Sequence, residues 1–313
     1  MVDLGGERHI DRERDPIKDS KTIAHCFCDN SDSSPYMRSK WIEGMVQRAS
    51  VIFIFMVITA SSNTVVCLTG IGQAQLQANN GGETAGQKVS FPTDDGVLIV
   101  GTYYSPSSSH QTSPKAVILL HMFGRNRNDW NAFASTLSNR SNSFAVLSID
   151  LRGHGESINR EGKTISFQSF TPTDFNKMVL DVKAAKHFLV TQKNILPNNI
   201  AIVGASIGAN IALKYAASDP SIKAVVLLSP GLDYRGVTTS DSIRQYTNPI
   251  YIATGGRDPI AGNDPQKLCN MINCGKHLMV YQDSVSHGTD MFSDSSLNPS
   301  LDKLIISWLD SGL

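Results

Sequence analysis

Residues Asn198–Ala217 read NNIAIVGASIGANIALKYAA, and this stretch decides the fold. Its first part, Ile200–Val203, is a short β-branched run of the kind that forms a fully buried strand. Gly204-Ala205-Ser206-Ile207-Gly208 follows, and a helical pattern rich in Ala and Leu comes directly after it. A strand, a sharp turn carrying a serine, and a helix are the context that gives a G-x-S-x-G match its meaning. The serine backbone in such an elbow is strained, and a side chain at either flanking glycine would collide with the neighbouring strand or helix. The hydroxyl is thereby held out over the sheet edge, at the positive end of the next helix. Taken alone, the pentapeptide reads equally well as a plain Gly/Ser turn, so the rest of the chain decides.

Working outward, strands and helices alternate. Lys88–Phe91 and Val97–Tyr104 flank the turn signal Thr93-Asp94-Asp95-Gly96 and predict an antiparallel hairpin. Ala116–His121, Phe144–Asp150, Lys223–Ser229, Ile250–Thr254 and Leu278–Tyr281 predict further strands. Helices are expected around Trp130–Leu137, over Thr171–Val190 with Thr171 or Thr173 as cap, after the elbow, and over Leu301–Leu309. This is an α/β pattern: a mostly parallel eight-stranded sheet with helices on both faces. Function in such sheets sits at the carboxyl ends of the strands.

The chain has 313 residues, and Lys+Arg and Asp+Glu balance at 28 each, so no global field argues for nucleic acid or an acidic partner. The globular domain is expected over Lys88–Leu313, a single-domain length. Ahead of it, residues 1–48 are polar and charged and read as disordered, or as lying before a later start at Met37 or Met45. Residues 49–72 hold the run VIFIFMVITA (Val51–Ala60) and a second apolar stretch, Val65–Gly72, behind Arg38, Lys40 and Arg48. They read as a signal peptide or as a single membrane anchor through residues 51–72. Either way the domain is exported, to lie extracellular or membrane-anchored on the outside. Residues 73–87 form a Gln/Asn/Gly-rich flexible linker. The five cysteines fit neither a zinc pattern nor a dense disulfide framework, and His25-Cys26-Phe27-Cys28 is a poor tetrahedral set.

The residues suited to chemistry each follow a predicted strand. Ser206 follows the elbow strand, Asp258 lies in Gly255-Gly256-Arg257-Asp258-Pro259, and His287 lies in Ser286-His287-Gly288. A serine hydroxyl is a weak nucleophile, so a neutral imidazole must take its proton as it attacks. His287 is the candidate base, and Asp258 the carboxylate that would hold its tautomer and stabilise the imidazolium. Asp258 reads alternatively as a helix cap, with Asp233 after the preceding strand as the other acid. The oxyanion of a tetrahedral intermediate needs preplaced N–H donors, expected from Ile207 and from Phe123 in the loop after Ala116–His121.

These residues resemble the α/β-hydrolase superfamily, over essentially all of Lys88–Leu313. Asp150-Leu151-Arg152-Gly153-His154-Gly155-Glu156-Ser157 is similar to that family's turn after its fourth strand, and His121-Met122-Phe123-Gly124 to its oxyanion loop. Met122 stands where the family usually has glycine. The resemblance implies a structural role for His154 and support of the oxyanion loop by His121. His110, His187 and His277 carry no pattern. Cys269 and Cys274 read as a small disulfide loop or as two thiols.

Ser229–Pro249 leaves no room for the helical cap often inserted there, and Gly155–Thr171 reads as a polar loop. An open, lidless site suits small or exposed acyl groups, as in uncapped esterases and dienelactone-hydrolase-like proteins. The expectation is a serine carboxylic-ester hydrolase acting on a small-molecule ester, with no metal or organic cofactor. The alternatives are a peptidase or amidase of the prolyl-oligopeptidase type, and a non-catalytic binding protein of the same fold.

Overall fold

The computed structural model describes residues 86–107, 114–272 and 277–313. The expectations for residues 1–48 and 49–72, for nearly all of 73–87, and for His25, Cys26, Cys28, His110 and Cys274 fall outside these. No helix among the described residues is long and apolar enough to cross a membrane.

In chain order the strands are β1 (Gln87–Pro92), β2 (Val97–Tyr104), β3 (Ala116–Leu120), β4 (Ala145–Ile149), β5 (Asn159–Arg160), β6 (Lys163–Thr164), β7 (Ile200–Ala205), β8 (Ile222–Leu228), β9 (Asp233–Tyr234), β10 (Val237–Thr238), β11 (Ile250–Gly255) and β12 (Leu278–Tyr281). The helices are α1 (Asn131–Ser138), α2 (Pro172–Asn176), α3 (Val179–Gln192), α4 (Ile207–Ser218), α5 (Ser240–Gln245), α6 (Asp264–Ile272) and α7 (Leu301–Gly312). The sheet runs β12-β11-β8-β7-β3-β4-β2, with β1 on the far side of β2. From β12 to β4 every pairing is parallel, and β4-β2 and β2-β1 are antiparallel.

The eight expected strands are all present, but the sheet has ten. The additional pair is β5-β6, whose Asn159 and Arg160 pair with Leu98 and Val97 of β2. Its connecting residues, Glu161 and Gly162, have φ of 49° and 81°, the doubly left-handed turn that closes a two-residue hairpin. Strands of two residues leave no alternation to read, so this segment was expected as a loop.

Burial explains the continuous apolar runs. In β3, Ala116, Ile118 and Leu120 face one core and Val117 and Leu119 the other. The first core is closed by α3 and α4, through Val182, Leu189, Ile211 and Leu213, and the second by α1 and α7, through Phe133, Leu137, Ile305 and Leu309. A strand covered on both faces has no polar side to alternate with.

The helix expected over Thr171–Val190 is two helices. Thr171 does cap the first, its hydroxyl accepting the Asp174 N–H while the Asp174 carboxylate accepts the Thr171 N–H at 3.0 Å, a full capping box. At the junction Leu180 and Asp181 bond back to the carbonyls of Lys177 and Met178, a tight turn that separates α2 from α3. Helix α6 was expected only as the helix following Asp258, without bounds. Cys269, within it, is disulfide-bonded, and its partner lies outside the described residues.

Candidate active site

The chain steps from β3 to β4 on one side and returns to β7 on the other, so the carboxyl ends of β3 and β7 open a crevice. Ser206 stands there with φ 54° and ψ −123°, a conformation that costs a non-glycine residue on the order of 1–3 kcal/mol. Its N–H donates to the Leu228 carbonyl at 2.8 Å, and its own carbonyl accepts from Ala209 and Asn210, which fixes the elbow between β7 and α4. A Cβ on Gly204 would overlap the Gly208 carbonyl, and one on Gly208 would fall 2.6 Å from the His121 carbonyl oxygen. Both glycines are therefore required by close backbone approach. Ser206 is buried.

Asp258 and His287, on the loops after β11 and β12, come together. His287 Nδ1 lies 2.7 Å from Asp258 Oδ2. The other carboxylate oxygen, Oδ1, accepts the N–H groups of Ile260 and Ala261 at 2.9 and 3.1 Å. The two oxygens thus have separate partners: Oδ2 faces the histidine and Oδ1 closes the turn over residues 259–263, ahead of α6, so Asp258 does not cap that helix. Burial would raise this carboxyl, but the His287 hydrogen bond and the two backbone donors outweigh it and hold it below its ordinary value. Asp233 does not reach the histidine: it is exposed, and its Oδ1 accepts the Gly236 N–H at 2.7 Å.

His287 Nε2 is buried and makes no hydrogen bond, so no bond joins it to Ser206. The two loops nevertheless abut. A Cβ on Gly288 would come 3.2 Å from Ala205 Cβ and would overlap Met122 Sδ. Gly288 has φ 53°, and its N–H donates to Ser229 Oγ at 3.0 Å. Ser229 is itself fully buried with φ 47° at the end of β8. Sequence reading missed it; its only signal was a place beside the elbow at the carboxyl end of a strand.

The loop after β3 shows how an N–H is presented. His121 Nε2 accepts the Leu151 N–H at 3.0 Å, so the ring proton sits on Nδ1, which donates to the Met122 carbonyl at 2.7 Å. Burial pushes this imidazole down to about 4, although the Met122 carbonyl favours the charged form, so it stays neutral. With the Met122 carbonyl turned toward His121, the planar trans peptide sends the Phe123 N–H the opposite way. Among the described residues no acceptor meets the N–H of Phe123 or of Ile207, the first residue of α4. Met122, where glycine is usual, turns its side chain into the core against Gly288.

The turn after β4 supports this loop. Asp150 accepts the N–H groups of Arg127 and Glu156, each at 2.8 Å, and pairs with the Arg127 guanidinium. His154 stacks on Phe167 with ring centroids 4.1 Å apart and bonds through Nδ1 to the Arg152 carbonyl. Burial pushes it to about 4 as well, and the neighbouring His121 adds to this. Phe123 packs edge-on against Phe167 at 5.1 Å, and the β9-β10 hairpin covers it and His287 from above through Arg235 and Tyr234. That hairpin and the short α5 fill Ser229–Pro249, with no helical cap.

Against known proteins, a family model described as serine aminopeptidase, S33, matches residues 111–240. A Fusarium protein named Hydrolase LUC6 is 27% identical over 158 residues, covering 49% of this chain and 36% of that protein. The chain spans only 3% of the length of a second curated relative. In structure it is similar to the Pyrococcus furiosus esterase Pf2001 (TM-score 0.55, 18% identity, covering 72% of this chain and 92% of that one). It is likewise similar to the dienelactone hydrolase of Anabaena variabilis (TM-score 0.54, 18% identity, 73% and 99%).

Proposed function

We propose that this chain, which has the α/β-hydrolase fold, is a serine hydrolase of carboxylic esters with small or exposed acyl groups. One observation carries the reading: a strained Ser206 on an elbow that abuts the His287 loop through Ala205 and Gly288, with His287 Nδ1 held by Asp258 and its Nε2 buried and unbonded. In the proposed reaction Ser206 Oγ attacks the ester carbonyl while His287 Nε2 takes its proton. Asp258 keeps the proton of the neutral ring on Nδ1 and stabilises the imidazolium. The oxyanion is met by the N–H groups of Ile207 and Phe123, each worth about 3 kcal/mol in such sites. His287 returns the proton to the departing alcohol, and water then hydrolyses the acyl-enzyme by the same steps in reverse roles. The apolar segment at residues 49–72 would place this activity on the exported side of a membrane.

The test is hydrolysis of p-nitrophenyl esters of increasing acyl length by the full chain and by its Ser206→Ala variant. Turnover by the parent that the variant loses is the expected result, and the length profile sizes the acyl pocket. Equal rates from both would overturn the esterase reading. The family model's aminopeptidase description gives the amide alternative one specific support, and a p-nitroanilide series run alongside decides it.

A further inference from the structure

We propose that Arg235 makes this site selective for esters carrying a carboxylate; the inference rests on the ester-hydrolase reading above. Arg235 and Gly236 form the two-residue turn between β9 and β10, with φ of 58° and 83°. These are the paired left-handed values of a type I′ turn, whose first position suits Gly, Asn or Asp. An arginine there is strained by its backbone, so the turn itself does not call for one.

The turn is pinned in place. Asn210 Nδ2 donates to the Val237 carbonyl and Asn176 Nδ2 to the Gly236 carbonyl, each at 2.8 Å. So held, Tyr234 meets the His287 ring edge-on at 6.3 Å, and the next residue sets its guanidinium carbon 4.0 Å from the centre of the Phe123 ring. Two adjacent residues of one hairpin therefore touch the histidine and the oxyanion loop. Arg235 is exposed and forms no ion pair among the described residues, whereas Arg125, Arg127, Arg140 and Arg152 all do. Stacking engages the face of a guanidinium and leaves its in-plane N–H donors for a ligand. A planar carboxylate takes two of them at once. A substrate anion would find a fixed cation beside the expected oxyanion donor, with no rival carboxylate to displace.

The experiment measures kcat/KM for para-acetoxybenzoate against its methyl ester, and for monoethyl against diethyl adipate, which put the anion on the leaving and the acyl side. The full chain is compared with its Arg235→Gly and Arg235→Lys variants. Glycine suits the left-handed turn, so Arg235→Gly keeps the fold and removes only the guanidinium. The anionic-to-neutral ratio is expected to fall about tenfold or more in Arg235→Gly for at least one pair, and less in Arg235→Lys. The same ratio in Arg244→Gln, at an exposed arginine on α5, stays at the parent's value. A ratio unmoved by Arg235→Gly in both pairs overturns the proposal. Because the neutral esters report on the parent reaction and on its loss in Ser206→Ala, that failure is distinct from failure of the esterase reading.

Discussion

Two histidines at the same edge of the sheet show what separates a candidate catalytic group from a structural one. His287 and His154 are both buried, and each has Nδ1 bonded and Nε2 without a partner. The difference is what Nδ1 meets. For His287 it is the Asp258 carboxylate at 2.7 Å; for His154 it is the Arg152 carbonyl at 3.1 Å. A carboxylate stabilises an imidazolium in a dry site, whereas a carbonyl dipole does not offset the cost of burying that charge. His154 is correspondingly held neutral, pushed by burial to about 4. Burial and an unbonded nitrogen are thus shared features; the charge behind the ring decides.

The comparison can be broken at its strongest point first. His287→Ala is expected to lower kcat by about a millionfold, as for other residues that act as one unit with a serine nucleophile. His154→Phe keeps the stack on Phe167 and is expected to stay within about tenfold of the parent, since a neutral ring in a structural turn takes no proton. Comparable losses from the two would erase the distinction. Next comes the partner itself. Asp258→Asn leaves the geometry but favours the wrong tautomer, and a fall of about ten-thousandfold in kcat is expected. A hundredfold or smaller effect would mean that the carboxylate mainly caps Ile260 and Ala261.

A smaller effect tests how the histidine loop is seated. Gly288→Ala forces a Cβ into Met122 at a left-handed φ, and a misplaced His287 is expected to cost about tenfold to a hundredfold in kcat. Adding Met122→Ala should restore part of the loss, and strictly additive single effects would show that the two loops are not coupled. The last test reads stability rather than rate. His121 and His154 titrate near 4 in the folded protein, against 6.5 in the unfolded chain. Between those values the unfolded chain binds protons that the native state refuses, so stability falls as pH falls through that window, by up to about 3 kcal/mol for each ring. Urea midpoints at pH 7 and pH 5 check this. His154→Phe should show the smaller drop, and equal drops would mean that other groups carry the acid sensitivity.

Much of this was legible before folding was considered. The glycines around Ser206 announce a close backbone approach, and a Cβ at either position would indeed strike backbone. The apolar runs of β3, β7 and β8 announce two-faced burial. The pairing of Asp258 rather than Asp233 with His287 was readable only as a preference, since both follow strands; the hairpin turn that consumes Asp233 decided it. Ser229 carried no signal beyond its place after a strand, and Arg235 carried none. Each owes its place to a left-handed backbone that ordinary side chains seldom adopt, and sequence composition does not register it.

By itself the sequence determined the layered α/β architecture, the serine elbow and the order of the candidate groups, because periodicity and glycine placement are local consequences of backbone geometry. Only the tertiary structure decided the tautomer of His121, the turn of the Met122–Phe123 peptide, the two duties of the Asp258 carboxylate and the seat of Arg235 over Phe123. Those depend on groups tens of residues apart meeting within hydrogen-bond or ring-stacking distance, and such meetings are set by packing.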